Sequence, residues 1–213
     1  MDGEGPAPSP GYPVAVDVEG QATHRNRLTV AFRLILGVPH IAIVGGITSL
    51  GFGLGGLRGA GALAVAAFTM ACIAWFAILF TNAHPRGLWD FATYYLRWLV
   101  RVSAYLALLR DEYPPFGDEV YPASYAAEYP SGGRNRLSVG LRLFYVIPHG
   151  IVLIFVNMAW ILTCIFAWFA ILLAGRYPEG LYRFGVGTLR WNIRVHSYML
   201  LLRDEYPPFS LQP

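Results

Sequence analysis

The length, composition and charge of the chain exclude an ordinary soluble enzyme. Of its 213 residues, 55% are hydrophobic and only 14% are charged, whereas a soluble domain carries about 25% charged residues. The formal net charge is only +3, so the protein is not predicted to bind nucleic acid. Every basic residue is arginine, whose planar guanidinium group grips phosphate in two places. The composition therefore predicts a small membrane protein of the all-α class.

The chain begins with a polar segment and a short extended piece. Residues 1–11 are rich in Pro and Gly, and we expect a disordered tail without a cleavable signal peptide. Valine occupies every second position of residues 14–18, which is the periodicity of a β-strand. Because an isolated strand leaves its backbone unpaired, residues 13–18 and 122–127 are predicted to pair with each other or to cover the interfacial helices outside the bilayer.

A long apolar region follows, and its length predicts a helical hairpin. No charged residue occurs from Leu34 to Leu57 or from Gly59 to Ala83. A helix of about 20 apolar residues is long enough to cross a bilayer. Two such stretches, separated by the glycines around Arg58, predict a transmembrane hairpin at about residues 28–83.

The next segment, at about residues 87–110, is predicted to be an amphipathic helix in the plane of the interface. Its apolar residues recur at three- and four-residue steps, whereas Asp90, Arg97 and Arg101 share the other face. An Arg at the centre of a span costs about 2.5–3.5 kcal/mol, which favours an interfacial position. The aromatic residues expected in the headgroup belt are Trp89, Trp98, Trp191, Tyr94, Tyr95, Tyr182 and Tyr198.

The chain then repeats itself. Residues 74–116 match residues 167–209 with 25 identities in 43 positions, at an offset of 93. Residues 25–40 match residues 134–149 with 9 identities in 16 positions, at an offset of 109. The two offsets differ by 16, so copy one holds 16 extra residues in its apolar region. Self-similarity of this kind indicates a tandem repeat of one structural unit.

The repeat sets the predicted domain boundaries. Copy one is predicted at about residues 12–116, and residues 117–133 form the linker and the start of copy two. Copy two is predicted at about residues 121–209. By analogy with copy one, it should contain a hairpin at about residues 137–175 and an interfacial helix at about residues 180–203.

Copy two has no obvious break between its two predicted spans. No charged residue occurs from Leu143 to Gly175, and one straight helix of that length would measure about 50 Å. Arginines flank both ends, and short cytoplasmic loops are enriched in basic residues. A tight turn near Asn157 would bring both clusters to the cytoplasmic side, as in copy one. Both termini and the linker are therefore predicted to be cytoplasmic.

The ordered series of motifs resembles a known bacterial family. Each copy carries Arg-Asn-Arg, then Pro-His, then AWFAIL, and closes on RDEYPPF. This series resembles the DUF4389 family of bacterial integral membrane proteins. The resemblance covers both copies, although copy one has NAHPRG where copy two has GRYPEG. It implies a multi-pass protein of the cell membrane with no assigned activity, and it supplies no catalytic residues.

Each copy carries a Pro-His pair inside its first predicted helix. The pairs are Pro39-His40 and Pro148-His149, and an internal proline kinks a helix. We predict helix kinks with hydrogen-bonded histidines, and a proton relay or metal site is the alternative because ionisable groups inside membranes are often functional. A metal site needs three or four ligands, and no HxxxH spacing is present. No metal and no other cofactor is therefore predicted.

Six arginines are candidates for binding an anionic lipid or a membrane partner, because guanidinium groups form charge-assisted bonds with phosphate. Snorkelling of the side chain to the interface is the alternative for the two in the hairpins. The RDEYPPF motifs are predicted to end the interfacial helices, since the residue before proline leaves the helical region. A docking surface for a partner is the alternative there. The six candidates are Arg33, Arg97, Arg101, Arg142, Arg190 and Arg194.

The sequence predicts a non-enzymatic scaffold or accessory subunit that acts on envelope lipid or on a membrane partner. Motifs of hydrolases and ATPases, such as GxSxG, HExxH and the P-loop, do not occur. A small homo-oligomeric transporter or channel, gated at the Pro-His kinks, is the alternative. A lipid-modifying enzyme that uses His and Arg at the interface is a third hypothesis.

Overall fold

A computed structural model describes residues 12–23, 25–46, 60–117, 119–130 and 132–212. The predicted tail, residues 1–11, lies outside these ranges. The described residues are mostly helical, as the sequence predicts. Strand β1 and helices α1 and α2 are followed by α3, α4, β2, α5 and α6. Their bounds are Val14–Val18, Arg27–Ala31, Arg33–Val44, Ala62–Thr81, Arg86–Leu106, Ala123–Ala127, Arg136–Ala174 and Glu179–Met199.

The two short extended segments form one antiparallel ribbon, which confirms the predicted pairing. Val14 lies opposite Ala127, and Val18 lies opposite Ala123. The central pair is Val16 and Tyr125, which are repeat counterparts at the offset of 109. The pairing is therefore symmetric about this central pair, and the ribbon relates the two copies by an approximate twofold axis.

Hydrogen bonds between the copies follow the same symmetry. The indole N–H of Trp75 donates to the carbonyl of Val139 at 2.9 Å, and its counterpart Trp168 donates to the carbonyl of Val30 at 3.1 Å. The start of each copy also meets the end of the apolar helix of the other. Two backbone bonds make this contact, Arg25 N–H to Gly175 O at 3.3 Å and Arg134 N–H to Asn82 O at 3.2 Å.

The predicted hairpin of copy two is wrong. Helix α5 runs without a break from Arg136 to Ala174 over 39 residues, a length of about 58 Å. Asn157, where the turn was expected, lies inside the helix, and its amide exchanges hydrogen bonds of 3.1 and 2.8 Å with Asn192 of α6. The bonds to Asn192 satisfy the side-chain amide of Asn157, which could otherwise bond to the backbone and favour a turn. Pro148 is accommodated within the helix.

Copy one divides the equivalent helix into two parts. Helix α2 has 12 residues, about 18 Å, and is too short to cross a bilayer by itself. By the repeat offsets, α2 and α3 correspond to residues 142–153 and 155–174 of α5. An antiparallel bridge joins Gly45 to Ala60, so the end of α2 and the start of α3 lie next to each other. The predicted turn around Arg58 lies outside the described residues.

The helices predicted to lie at the interface form the core instead. Helices α4 and α6 begin and end within four residues of the predicted bounds, but 14 of the 21 residues of α4 are buried. They pack against each other, against the ribbon and against α2, α3 and α5. Six of the seven aromatic residues expected in a headgroup belt are buried, and only Tyr94 is partly exposed. A helical wheel reports an apolar face, and here protein rather than lipid covers it.

The apolar helices carry most of the exposed hydrophobic surface. Helices α3 and α5 are long and apolar enough to cross a membrane, and only 28% of the most apolar window of each is buried. A core helix of a soluble protein can be equally long and apolar, but most of its surface is buried. The large exposed side chains include Phe76, Phe80, Phe144, Phe155 and Leu173.

Candidate functional site: paired arginine–aspartate clusters

In copy one, three separated motifs converge on one carboxylate. The guanidinium groups of Arg33 and Arg25 lie 2.6 and 2.9 Å from Oδ1 of Asp111. The backbone N–H of Asn26 donates to Oδ2 at 2.8 Å. Asn26 also caps α1, because its side chain accepts bonds from the N–H groups of Leu28 and Thr29. The Arg-Asn-Arg motif thus begins the helix and binds the acid at the same time.

Copy two builds the same cluster. The guanidinium groups of Arg142 and Arg134 lie 2.7 and 2.8 Å from Oδ1 of Asp204, and the N–H of Asn135 donates to Oδ2 at 3.2 Å. Asn135 caps α5 by accepting the N–H of Ser138. Burial alone would raise the pKa of Asp204, but Arg134, the Asn135 N–H and Arg142 outweigh it and lower the pKa.

The two helix arginines have no unused surface for a lipid phosphate. Arg33 and Arg142 are each 2% exposed. Arg33 donates to the carbonyls of Tyr105 and Arg110 at 2.9 and 2.7 Å, and Arg142 donates to that of Tyr198 at 2.8 Å. Each guanidinium group also lies over the ring of that tyrosine, at 4.5 and 4.2 Å. Neither side chain snorkels to a surface; both hold the end of α4 or α6 against the apolar helix.

The other four candidate arginines occupy unequal environments. Arg101 donates to the carbonyl of Gly117, and Arg194 donates to those of Gln212 and Ser210 at 2.8 and 3.4 Å. Arg190 donates to the carbonyl of Val16 at 3.0 Å and lies 3.6 Å from Asp17. Arg97 is exposed. Lipid binding by these residues stays a prediction, and Arg97 is the one whose side chain is most available for it.

The Pro-His pairs lie in two matching aromatic pockets. The indole N–H of Trp98 donates to Nδ1 of His40 at 3.2 Å, and Phe116 stacks on the imidazole at 4.2 Å between centroids. In copy two Trp191 donates to Nδ1 of His149 at 3.1 Å, and Phe209 stacks at 3.9 Å. Because Nδ1 accepts in both pockets, a neutral ring carries its proton on Nε2.

These pockets give the RDEYPPF motif its structural role. Its acid enters the arginine cluster and its final phenylalanine covers the histidine, so the motif fastens the end of α4 or α6 to the Pro-His turn. The predicted structural kinks are compatible with this geometry. Within the described ranges, no group of three or more His, Cys, Asp or Glu side chains is placed to hold a metal ion.

Sequence reasoning did not find the partnership between the arginines and the aspartates. An adjacent Asp-Glu pair gives no catalytic signal, and Asp111 lies 78 and 86 positions after its arginines. The available signal was the duplication itself, since both arginines and the acid recur together. The tyrosine that lies two residues before each strand was missed as well. The hydroxyl of Tyr121 donates to the carbonyl of Glu112 at 2.8 Å, and that of Tyr12 donates to the carbonyl of Glu205 at 3.4 Å.

Comparison with protein families agrees with the repeat. The family described as Domain of unknown function (DUF4389) matches residues 60–117 and 136–210. The chain belongs to this family. The two matched segments contain one RDEYPPF motif each, so the DUF4389 unit occurs twice. No curated protein and no solved structure matches the chain.

Proposed function

We propose that this DUF4389 protein is a non-enzymatic scaffold or accessory subunit of the bacterial cytoplasmic membrane. The observation that carries the proposal is how the chain distributes its side chains. Helices α3 and α5 present apolar residues outward, whereas the duplicated Asp, Arg and His residues are bound inside the protein. Motifs that recur in both copies thus maintain the fold and leave the outer surface for lipid or a protein partner.

The exposed apolar surface supports a position in the bilayer. Phe80 and Leu173 are each 79% exposed, and Phe155, midway along α5, is 65% exposed. Apolar patches larger than a few hundred Å² are rare on soluble monomers and mark contact with membranes or proteins. Leaving such area in water costs about 25 cal/mol per Å². Lipid, a membrane-protein partner or a second copy of the chain would cover it.

The structure changes the basis for the proposed topology. The charge argument for copy two required a turn near Asn157, and it lapses because α5 is continuous. A cytoplasmic N terminus now rests on the Arg25, Arg27 and Arg33 cluster of copy one, since basic residues near membrane helices favour that side. Labelling of single cysteines at Gly20 and Gly132 from each face of oriented vesicles would test it. Reaction of Gly20→Cys only from the outside would contradict a cytoplasmic N terminus.

The membrane proposal has a direct test. We expect the full chain to stay with membranes after alkaline carbonate extraction. Phe155→Asp should reduce membrane insertion, because a central acid costs about 2.5–3.5 kcal/mol on insertion scales. Arg183→Asp is the matched control, since Arg183 is exposed on α6. Release of soluble, folded wild-type protein by carbonate would refute membrane insertion.

The scaffold proposal is tested separately. A photo-crosslinking residue at Phe155 or Phe80 should capture the same discrete membrane protein or second copy in cells, while the same residue at Arg183 should not. Reconstituted protein should show no solute flux. Flux in proteoliposomes that His40→Phe or His149→Phe abolishes would replace the scaffold with the transporter alternative.

A further inference from the structure

The two ends of the ribbon differ although the repeat makes them equivalent. The copy-one end is the end at which β1 finishes, where Val18 pairs with Ala123. There the carbonyl oxygen of Glu19 accepts a bond of 3.0 Å from Arg110 and another of 3.0 Å from the hydroxyl of Tyr182. Arg110 also forms a two-pronged pair with Glu112, at 2.7 and 3.0 Å. The donors of Arg110 and Tyr182 at this end therefore meet acceptors of the protein itself.

At the copy-two end, where β2 finishes and Ala127 pairs with Val14, the equivalent donors lack acceptors. The counterparts of Arg110 and Tyr182 are Arg203 and Trp89, which are only 7% and 6% exposed. Nε and Nη2 of Arg203 and Nε1 of Trp89 are buried without a hydrogen-bond partner in the described ranges. In copy one the equivalent donors converge on the carbonyl oxygen of Glu19, so the repeat directs Arg203 and Trp89 toward one region. The counterpart of Glu19 is Glu128, and none of these three N–H groups donates to it in the described ranges.

Two sequence differences between the copies remove acceptors at this end. Asp17, which lies 3.6 Å from Arg190, has Ala126 as its counterpart, so the equivalent Arg97 lacks that carboxylate. Gln21, whose carbonyl and side-chain oxygens accept from Nη1 of Arg25 at 2.8 and 3.3 Å, is replaced by Pro130.

A third arginine loses an acceptor through the second difference. Arg134 is the counterpart of Arg25, and its Nη1 is buried without a partner in the part of the chain that the structure describes. Copy two therefore keeps the donors of copy one and lacks two of its acceptor side chains.

The arginines at the copy-two end lie near one another. The repeat places Arg97 and Arg203 there, because their counterparts Arg190 and Arg110 donate to the carbonyls of Val16 and Glu19 at 3.0 Å each. Those two acceptors correspond to Tyr125 and Glu128. Arg134 contacts Asp204 at 2.8 Å, the chain neighbour of Arg203. Asp204 is shared with Arg142 at 2.7 Å, so it does not neutralise the cluster. Glu205, the counterpart of Glu112, is exposed, and no ion pair joins it to Arg203 in the described residues.

We propose that the copy-two end of the ribbon binds a phosphate group between Arg203, Trp89 and Arg97, with Arg134 adjoining. A buried guanidinium group without an anion is costly, and a phosphate oxygen accepts bonds from guanidinium and indole N–H groups alike. Three arginines and one shared carboxylate favour a multiply charged oxyanion. A lipid headgroup and free inorganic phosphate carry this chemistry equally, and the test distinguishes them.

The test uses the full chain in phosphatidylcholine nanodiscs. Inorganic phosphate is titrated while the melting temperature is followed, and parallel nanodiscs contain phosphatidic acid. Stabilisation by free phosphate identifies a soluble ligand, and stabilisation by phosphatidic acid alone identifies a headgroup. Arg203→Gln should weaken binding about tenfold to a hundredfold, and the milder Trp89→Phe about twofold to tenfold. The counterpart variants Arg110→Gln and Tyr182→Phe should bind like the wild type.

Two further variants separate the phosphate from an internal partner. Ala126→Asp restores the carboxylate of copy one, and it should raise the melting temperature without phosphate and weaken phosphate binding. Glu205→Gln should leave binding unchanged or tighten it. Three results would overturn the proposal: no response of the wild type to either phosphate source, equal weakening in the Arg110→Gln control, or a stability coupling of Arg203 with Glu205 as strong as that of Arg110 with Glu112.

Discussion

Replacing Asp111 by Asn should destabilise the protein far more than removal of one surface charge. The carboxylate is 10% exposed, and the side chains of its partners Arg25 and Arg33 are 0% and 2% exposed. Asn keeps the size of the side chain but loses the charge and points an N–H donor toward other donors. Two buried guanidinium groups would then share no anion. Breaking a buried pair in this way costs about 3–5 kcal/mol.

The assay is thermal unfolding of the purified full chain in detergent. For a chain of this size each kcal/mol corresponds to about 2–4 °C, so Asp111→Asn should lower the melting temperature by about 6–20 °C. Asp90→Asn is the matched control. Its pair with Arg86 spans 3.4 Å between side chains that are 56% and 66% exposed, and such pairs contribute below about 1 kcal/mol. Equal shifts in the two variants would refute the view that the cluster holds the repeat together.

Three other outcomes are expected. The pKa of Asp204 is lower in the folded state, so its contribution to stability is complete above its unfolded pKa of about 3.9 and is lost as the pH falls through the lowered pKa. The melting temperature of the wild type should therefore drop more steeply between pH 5 and pH 2 than that of Asp204→Asn. Parallel curves for the two proteins would contradict this. Asn157→Pro should lower the free energy of unfolding, measured with denaturant, by about 3 kcal/mol or more because it interrupts α5. An unchanged free energy would instead favour the predicted turn near Asn157. Trp98→Phe should cost about 0.5–1.5 kcal/mol through the lost bond to His40, and unfolding indistinguishable from the wild type would mean that this bond is unimportant.

The sequence alone determined the tandem architecture. Residue identities at fixed offsets reveal two copies, valine alternation predicts β1, and the charge-free stretches and RDEYPPF motifs place the helices. The strand and helix signals are local, because each depends on composition or periodicity within about 20 residues. The repeat spans longer distances but needs only a comparison of the chain with itself. The pairing of β1 with β2 was also foreseen, since the two segments were too short to stand alone and occupied equivalent positions.

Only the tertiary structure decided what covers each helix. The wheel of α4 shows an apolar face but does not reveal whether lipid or protein contacts it, and Trp98 packs on His40 rather than in a headgroup belt. The continuity of α5 through Asn157 depends on a partner in α6, 35 residues away. Asp111 and its arginines form a site only because distant segments meet. Contacts of this kind depend on three-dimensional packing, and periodicity along the chain does not encode which surfaces will pack together.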